Sequence, residues 1–140
     1  MRAIRLVLAA ASLAALLMVP SGCDAPQSKP RMMHTVPLTA GREQPDVEVS
    51  VVDGIKVVLP GPKSGADLAW VIAGGNARVL KQLTPVEYSP ASGDAPAMST
   101  VSYYAKKAGR SHLLFFLVHK GQAEATPVAS CMVTISVSED

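Results

Sequence analysis

The sequence predicts an all-β protein, an immunoglobulin-like β-sandwich of about seven strands that follows an N-terminal signal peptide and a proline-rich linker. From residue 47 onward, short runs alternate apolar and polar residues, which is the period of a half-buried strand. Turn residues separate these runs, and no run shows the 3.6-residue period of a helix. Trp70 lies in the third run, as the core tryptophan of such sandwiches does. The predicted domain therefore spans 47–140.

The first 22 residues have the organisation of a signal peptide. Arg2 and Arg5 precede an uncharged apolar run that extends from Leu6 to Val19, and this arrangement engages the export machinery. The run stops at Pro20 and is shorter than the roughly 20 residues that a membrane-spanning helix needs. We therefore expect export and cleavage rather than a permanent span.

The junction Ser21-Gly22-Cys23 resembles the end of a bacterial lipobox, although Pro20 stands where that motif usually has leucine. In the motif the cysteine is acylated and the chain is cut before it, which implies that Cys23 is the lipidation site. Several acyl chains anchor a protein durably to a membrane. The expected location is the non-cytoplasmic side of the cell envelope. The alternative is an ordinary secretory signal cut near Gly22, which leaves Cys23 a plain thiol.

Charge and composition limit the partners. The chain has 13 basic and 11 acidic residues, and two of the basic residues belong to the signal peptide, so the exported chain is balanced. It therefore lacks the positive footprint of a protein that binds nucleic acid. The two cysteines give no disulfide framework, and a Cys23–Cys131 bridge is open only without lipidation. About 115 exported residues suffice for one domain with one core.

Residues 23–46 are predicted to form a lipid-anchored linker, because prolines are spaced through polar residues without an apolar period. Such a segment stays extended and holds a domain away from the membrane. The alternative is an N-terminal extension that packs partly on the domain through its apolar residues, which are Met32, Met33 and Val36.

Turn residues bound each of the first four predicted strands. The first two are half-buried by their alternation and are joined tightly at Asp53-Gly54. The second ends at Pro60, because proline has no N–H to donate to a β-ladder. Residues 84–96 are rich in Pro, Ser and Gly, which predicts one long loop. The four strands are 47–51, 55–59, 68–72 and 79–83.

Three further strands are predicted in the C-terminal part. The strand 101–105 alternates and leads to a turn at Ala108-Gly109. The run 112–119 is apolar on both faces, which marks a central strand. In the last strand, 131–137, Cys131 is in phase with the apolar residues that follow it. We expect Cys131 to be a small buried hydrophobe.

The sequence offers no arrangement that predicts catalysis. His112 and His119 are an odd number of residues apart on one strand and point to opposite faces, so they cannot hold one metal ion together. Neither a Ser-His-acid grouping nor a glycine-rich phosphate loop is visible. We therefore expect no enzyme activity, no cofactor and no metal site.

Three segments of the chain resemble the chagasin family of cysteine-protease inhibitors. They are VVLPGPKSGADLAW at 57–70, STVSYYAKKAGRSHLLFFLV at 99–118 and the closing strand at 132–137. In that family a strand ending in Leu-Pro runs into the loop Asn-Pro-Thr-Thr-Gly and then to a strand tryptophan. A later strand carries an Ala-Ala-Gly turn. The positions that match are mainly those that the fold needs, namely Leu59, Pro60, Pro62, Gly65, Trp70 and Ala108-Gly109.

The inhibitory contacts of that family are matched less closely. Lys63 and Ser64 stand at the two threonine positions of the first loop. His119-Lys120-Gly121 occupies the place of an Arg-Pro-Trp loop. The resemblance therefore implies a chagasin-like fold more strongly than it implies inhibition.

Two functions of different class remain open. The favoured one is a bacterial cell-envelope lipoprotein that presents the sandwich as a structural module or as a protein-interaction module for another envelope protein. The alternative, implied by the resemblance, is an inhibitor of papain-type cysteine proteases. Inhibition requires the loops after Pro60, Ala91 and His119 to lie at one end and to support one another. The candidate partner-binding residues are Pro62, Lys63, Ser64, Gly65, Gly93, Asp94, Lys120 and Gly121.

Overall fold

The computed structural model describes residues 29–42, 44–122 and 126–139. The predicted signal peptide and the predicted lipidation site at Cys23 lie outside these residues. The described residues form nine strands and contain no helix, and so none that could cross a membrane. The strands are β1 (Met33–Pro37), β2 (Val47–Ser50), β3 (Gly54–Pro60), β4 (Leu68–Gly74), β5 (Leu80–Gln82), β6 (Glu87–Ser89), β7 (Met98–Ala105), β8 (Gly109–His119) and β9 (Ala129–Ser138).

The strands form two sheets that enclose one core. The first sheet has the order β1-β3-β7-β5, and β6 pairs with β7 beyond the end of β5. The second sheet has the order β2-β9-β8-β4. Two pairs are parallel, β1 with β3 and β2 with β9, and the other pairs are antiparallel. The predicted all-β sandwich is confirmed.

Alternation along the strands builds the core, because every second side chain of a strand points to the same face. The largest fully buried apolar side chains come from both sheets and are Ile55, Val57, Leu59, Val101, Leu113, Phe115, Val133 and Ile135. Burial of this apolar surface, worth about 25 cal/mol per Å², is the main force that holds the sheets together.

The predictions for the central and last strands hold. β8 lies between β9 and β4. On β8, Leu113 and Phe115 are buried in the core, whereas Phe116 on the opposite face is half-buried. Cys131 is 2% exposed and packs among the core residues of β9. Trp70 is also a core residue, and its Nε1 donates a hydrogen bond to the carbonyl of Pro60 at 2.9 Å.

Part of the predicted linker belongs to the domain. Residues 33–37 form β1, which pairs with β3 in parallel register, and the buried side chains of Val36 and Leu38 join the core. The edge of β3 offers unpaired backbone groups, and burial of two apolar side chains stabilises the added strand. Linker geometry is therefore the wrong prediction for residues 33–38, and the alternative that this segment packs on the domain describes them.

One other local prediction is corrected, and the structure shows which partners the first two predicted strands have. The first two predicted strands are joined tightly but lie in different sheets, because β2 pairs with β9 and β3 pairs with β7. The chain crosses between the sheets around the buried Asp53. The predicted loop 84–96 contains the short strand β6, which pairs with the first residues of β7. With β1 and β6, the described residues have nine strands rather than about seven.

Candidate functional site: three loops at one end of the sandwich

Strand register brings three loops to the same end of the sandwich. The first loop (61–67) joins β3 to β4, the second loop (90–97) joins β6 to β7, and the third loop (120–128) joins β8 to β9. Pro60 at the end of β3 pairs with Met98 at the start of β7, so the first and second loops are neighbours. Leu68 at the start of β4 pairs with His119 at the end of β8, so the first and third loops are neighbours. We call these three loops together the loop end.

Hydrogen bonds join the first loop to both of the others. The amide of Gly61 donates to the carbonyl of Ala97 in the second loop at 3.0 Å. The amide of Lys120 in the third loop donates to the carbonyl of Asp67 at 3.1 Å. Ser99 Oγ, which is buried at the start of β7, donates to the carbonyl of Gly61 at 2.9 Å. The three loops therefore support one another as the inhibitor hypothesis requires.

Tyr88 on β6 braces the first loop. Its hydroxyl donates to the carbonyl of Pro62 at 2.9 Å and lies 3.1 Å from Ser64 Oγ. A tyrosine hydroxyl has one proton to donate, so the Ser64 hydroxyl is the donor in the second contact. Tyr88 is 45% exposed, and it owes its position to the pairing of β6 with β7. The local sequence pattern does not indicate this role, because Tyr88 lies in the segment predicted to be a loop.

The tip of the first loop is a turn stabilised by its own backbone. The amide of Ala66 donates to the carbonyl of Lys63 at 3.1 Å. Gly65 has a φ of 86°, a conformation that glycine adopts without the steric cost of a Cβ atom. Lys63, Ser64 and Gly65 are exposed, and Pro62 is half-buried. The predicted contact residues of this loop thus form its tip.

The remaining candidate residues lie at the tips of the second and third loops. In the second loop, Ser92 and Ala95 exchange backbone hydrogen bonds of 3.0 and 2.9 Å, which leaves Gly93 and Asp94 exposed between them. In the third loop, Lys120 and Gly121 are exposed in a turn that the bond from the Gln122 amide to the His119 carbonyl closes at 2.9 Å. All eight candidate residues are therefore at the loop end, and their role in binding stays a prediction.

A small pocket opens beside the first loop. Its volume is about 150 Å³, and its lining includes Pro62, Lys63, Leu68, Trp70, Tyr88 and Lys120. The indole and the leucine give it an apolar wall, while the two lysines bring positive charge. A pocket of this size could hold a single side chain of a partner. Its combination of apolar burial with a few polar contacts is typical of the centre of a protein interface.

Three side chains that might carry chemistry, those of His34, His112 and Cys131, lie outside the three loops. His34 contacts Asp53, and His112 Nδ1 lies 2.8 Å from Thr134 Oγ1 on β9. Burial raises the pKa of the Cys131 thiol, which disfavours the reactive thiolate. Within 29–42, 44–122 and 126–139, no group of His, Cys, Asp and Glu residues has the arrangement of a metal site.

Comparison with known proteins identifies the fold. No protein-family model matches the chain, and no curated protein does. Among solved structures, the chain is similar to EhICP2, a cysteine protease inhibitor from Entamoeba histolytica, with a TM-score of 0.59 and 15% identity over 78% of this chain and 99% of that chain. The chagasin-like resemblance in the sequence is thus confirmed at the level of the fold.

Two further solved structures are similar at lower scores. Amebosin has a TM-score of 0.49 and 11% identity over 79% of this chain and 99% of that chain. PbICP-C, whose structure is a complex with falcipain-2, has a TM-score of 0.45 and 14% identity over 81% of this chain and 95% of that chain.

Proposed function

We propose that this domain inhibits papain-type cysteine proteases by inserting the loop end into the active-site cleft. The observation that carries the proposal is the convergence of three exposed, mutually hydrogen-bonded loops at one end of the sandwich. The same fold in a cysteine protease inhibitor of Entamoeba histolytica favours this function over a purely structural module.

The supports of the loop end suit a tight contact surface. The hydroxyl of Tyr88, the bond from Gly61 to Ala97 and the bond from Lys120 to Asp67 hold the loops before a partner arrives. A loop that is already ordered loses little conformational entropy on docking, so more of the contact energy appears as affinity. In the proposal, Lys63 and Ser64 reach furthest into the cleft, and Gly93-Asp94 and Lys120-Gly121 contact its walls.

The residue types in the third loop favour a second candidate function. His119-Lys120-Gly121 stands where chagasin-type inhibitors carry Arg-Pro-Trp, so the loop lacks a large aromatic anchor at that position. Aromatic residues contribute much of the binding energy in protein interfaces. The second candidate is an interaction module that uses the same loop end to bind a different protein of the cell envelope.

We also propose that acylation of Cys23 anchors the protein to a membrane on the non-cytoplasmic side. The Ser21-Gly22-Cys23 junction supports this location. The amide of Arg31 donates to the carbonyl of Val52 at 2.8 Å, and the amide of Gly54 donates to the carbonyl of Met32 at 2.7 Å, so the chain is held on the domain from Arg31 onward. In this proposal the tether is therefore limited to the segment 24–30. Met33 pairs with Gly54, at the end of β3 that is opposite the loop end. The anchor therefore enters the domain far from the loops and leaves them free to face outward.

Inhibition is tested with the purified protein against a panel of papain-like proteases and a peptide substrate. We expect a Kd of about 1 μM or lower. The double variant Lys63→Glu with Ser64→Glu should abolish inhibition without lowering the melting temperature, because both side chains are exposed. The matched control is Ala77→Glu with Arg78→Glu, which changes the charge equally at the exposed turn after β4, opposite the loop end. This control should inhibit like the wild type.

The result also separates the two candidate functions. If the wild-type protein leaves every protease of a representative panel active, the inhibitor proposal fails. The interaction-module hypothesis then predicts that an envelope protein binds to the wild type and to the Ala77→Glu, Arg78→Glu control. The same protein should not bind to the Lys63→Glu, Ser64→Glu variant.

A further inference from the structure

A cleft that is separate from the loop end opens between the two sheets. It lies between β4, the edge strand of the second sheet, and β5, which is at the edge of the first sheet. Its volume is about 340 Å³, which is within the range of small-molecule sites. It shares no lining residue with the pocket at the loop end. Its apolar walls include Ile72, Ala73, Ala77, Leu80 and Leu113.

The backbone of β4 keeps one wall of the cleft open. The register between β4 and β8 shifts between Ile72 and Gly74, and such bulges are common beside functional sites. Gly74 and Gly75 follow and add no side chain to the wall. A Cβ atom at Gly75 would lie 3.2 Å from Leu113 Cδ2, so a larger residue there would press on the core.

The lining of the cleft includes one buried residue with an unpaired polar group, Tyr103 on β7. The residue lines the cleft and is 5% exposed. Its hydroxyl is buried and has no hydrogen-bond partner in the part of the chain that the structure describes. Burial raises the pKa of this phenol to about 12, so it is a neutral donor at physiological pH. Buried hydroxyls usually have a partner, because leaving one unpaired destabilises the protein.

We propose that the cleft binds a small, mainly apolar molecule that carries one hydrogen-bond acceptor, such as a ketone or ester carbonyl. The apolar walls would bury the body of the molecule, and the hydroxyl of Tyr103 would donate to the carbonyl. The volume of the cleft limits the ligand to a small molecule, and the unpaired hydroxyl of Tyr103 favours one with an acceptor. This site is independent of the loop end and of the proposed inhibition.

Two probes of nearly equal size and shape test the role of the hydroxyl: acetophenone has a carbonyl, whereas ethylbenzene does not. Titration of the full chain, followed by ¹H–¹⁵N NMR, should shift the amides of Gly75, Leu80 and Leu113, with a Kd on the order of 1 mM for acetophenone. Tyr103→Phe should lower the affinity for acetophenone, relative to the affinity for ethylbenzene, by about three- to tenfold, which is the effect of one hydrogen bond.

The control is Tyr104→Phe, the neighbouring tyrosine on β7, which faces the opposite side of the sheet and does not line the cleft. It should leave the ratio of the two affinities unchanged. Tyr103→Phe should melt at the same temperature as the wild type or higher, because it removes an unpaired buried hydroxyl. Protease inhibition should not change. An unchanged affinity ratio in Tyr103→Phe would overturn the proposal, and so would the absence of shifts at the cleft with either probe.

Discussion

His34 Nε2 donates a hydrogen bond of 3.0 Å to the carboxylate of Asp53 and thereby ties β1 to the crossover between the two sheets. The Asp53 side chain is 6% exposed and also lies 3.2 Å from Arg31 and 3.3 Å from the amide of Ser50. The hydrogen bond from His34 is the main reason that the pKa of Asp53 lies below its ordinary value of 3.8, and the contacts with Ser50 and Arg31 add to it. The ionised carboxylate therefore stabilises the fold.

We predict that Asp53→Asn lowers the free energy of unfolding by about 1–3 kcal/mol at pH 7, because the partners of the carboxylate lose a charged acceptor. A carboxyl whose pKa is lowered on folding contributes stability that is present above its unfolded pKa and is lost as the pH falls through the folded pKa. The wild type should therefore lose stability below about pH 4 more steeply than Asp53→Asn. Urea denaturation between pH 2.5 and 7 measures both effects.

The control for this prediction is Asp46→Asn. Asp46 forms an ion pair of 3.2 Å with Arg110, but both side chains are at least half exposed. Exposed pairs contribute little because water screens them, so this variant should cost less than about 1 kcal/mol. Equal losses in Asp46→Asn and Asp53→Asn would show that the Asp53 contacts have no special role.

Tyr88→Phe should loosen the first loop while the domain stays folded. The variant loses the hydrogen bonds to Pro62 and Ser64, and Tyr88 is too exposed to be important for the core. We expect the amide of Ala66 to exchange with solvent about three- to tenfold faster, whereas amides of β8 keep their protection. Hydrogen exchange followed by NMR measures this. Tyr104→Phe is the control, and unchanged exchange at Ala66 in Tyr88→Phe would contradict the bracing role.

Cys131 should label slowly with a thiol reagent in the native state and quickly in denaturant. The side chain is buried on β9, and burial raises the pKa of its thiol. The reagent therefore cannot reach the sulfur, and little of the reactive thiolate is present. The measurement uses a Cys23→Ser background, in which Cys131 is the single thiol. Cys131→Asp should cost about 3 kcal/mol or more, because its carboxylate would be buried without a partner, and Cys131→Ala should cost less. Rapid native labelling would show that β9 is not held in this register.

Mass spectrometry of the mature N-terminus tests the proposed anchor. We expect cleavage before Cys23 and the added mass of acyl chains on that residue, since the junction resembles a lipobox. Cys23→Ala should leave the signal uncleaved by the lipoprotein route and should remove the acyl mass. A free Cys23 thiol on a product released from the membrane would contradict the prediction.

Local pattern was enough to predict most strands and the direction of their side chains. The alternation in β7 and β9 and the apolar run of β8 appear directly in the sequence, because a strand has a period of two residues whatever its partners are. The same parity placed Cys131 in the core. Turn residues also marked the tips of the three loops, including Lys63-Ser64 and Gly93-Asp94, since glycine and proline interrupt strands for local steric reasons.

Two segments that lack an alternating apolar pattern are strands because they pair with a neighbouring strand. β1 contains a proline and faces water along much of its length, and it is a strand because the edge of β3 is open beside it. β6 consists of three exposed residues and is a strand because it pairs with the first half of β7. The short connection at Asp53 fits a hairpin or a crossover equally well, and the partners of β2 and β3 select the crossover.

The sequence by itself determined that this is an all-β chain with a signal-like N-terminus and exposed, glycine-rich turns. Only the tertiary structure decided that three of these turns meet, that Tyr88 braces one of them, and that the hydroxyl of Tyr103 is unpaired beside an apolar cleft. These features depend on strand pairing: the loops meet through the pairs Pro60–Met98 and Leu68–His119. Tyr88 and Tyr103 owe their positions to the pairing of β7 with β6 and β5. The paired residues are far apart in the chain, and backbone hydrogen bonds between strands are the same for almost every residue type. The register of the strands is therefore set by how all the apolar faces pack together, and it cannot be predicted from any single segment of the sequence.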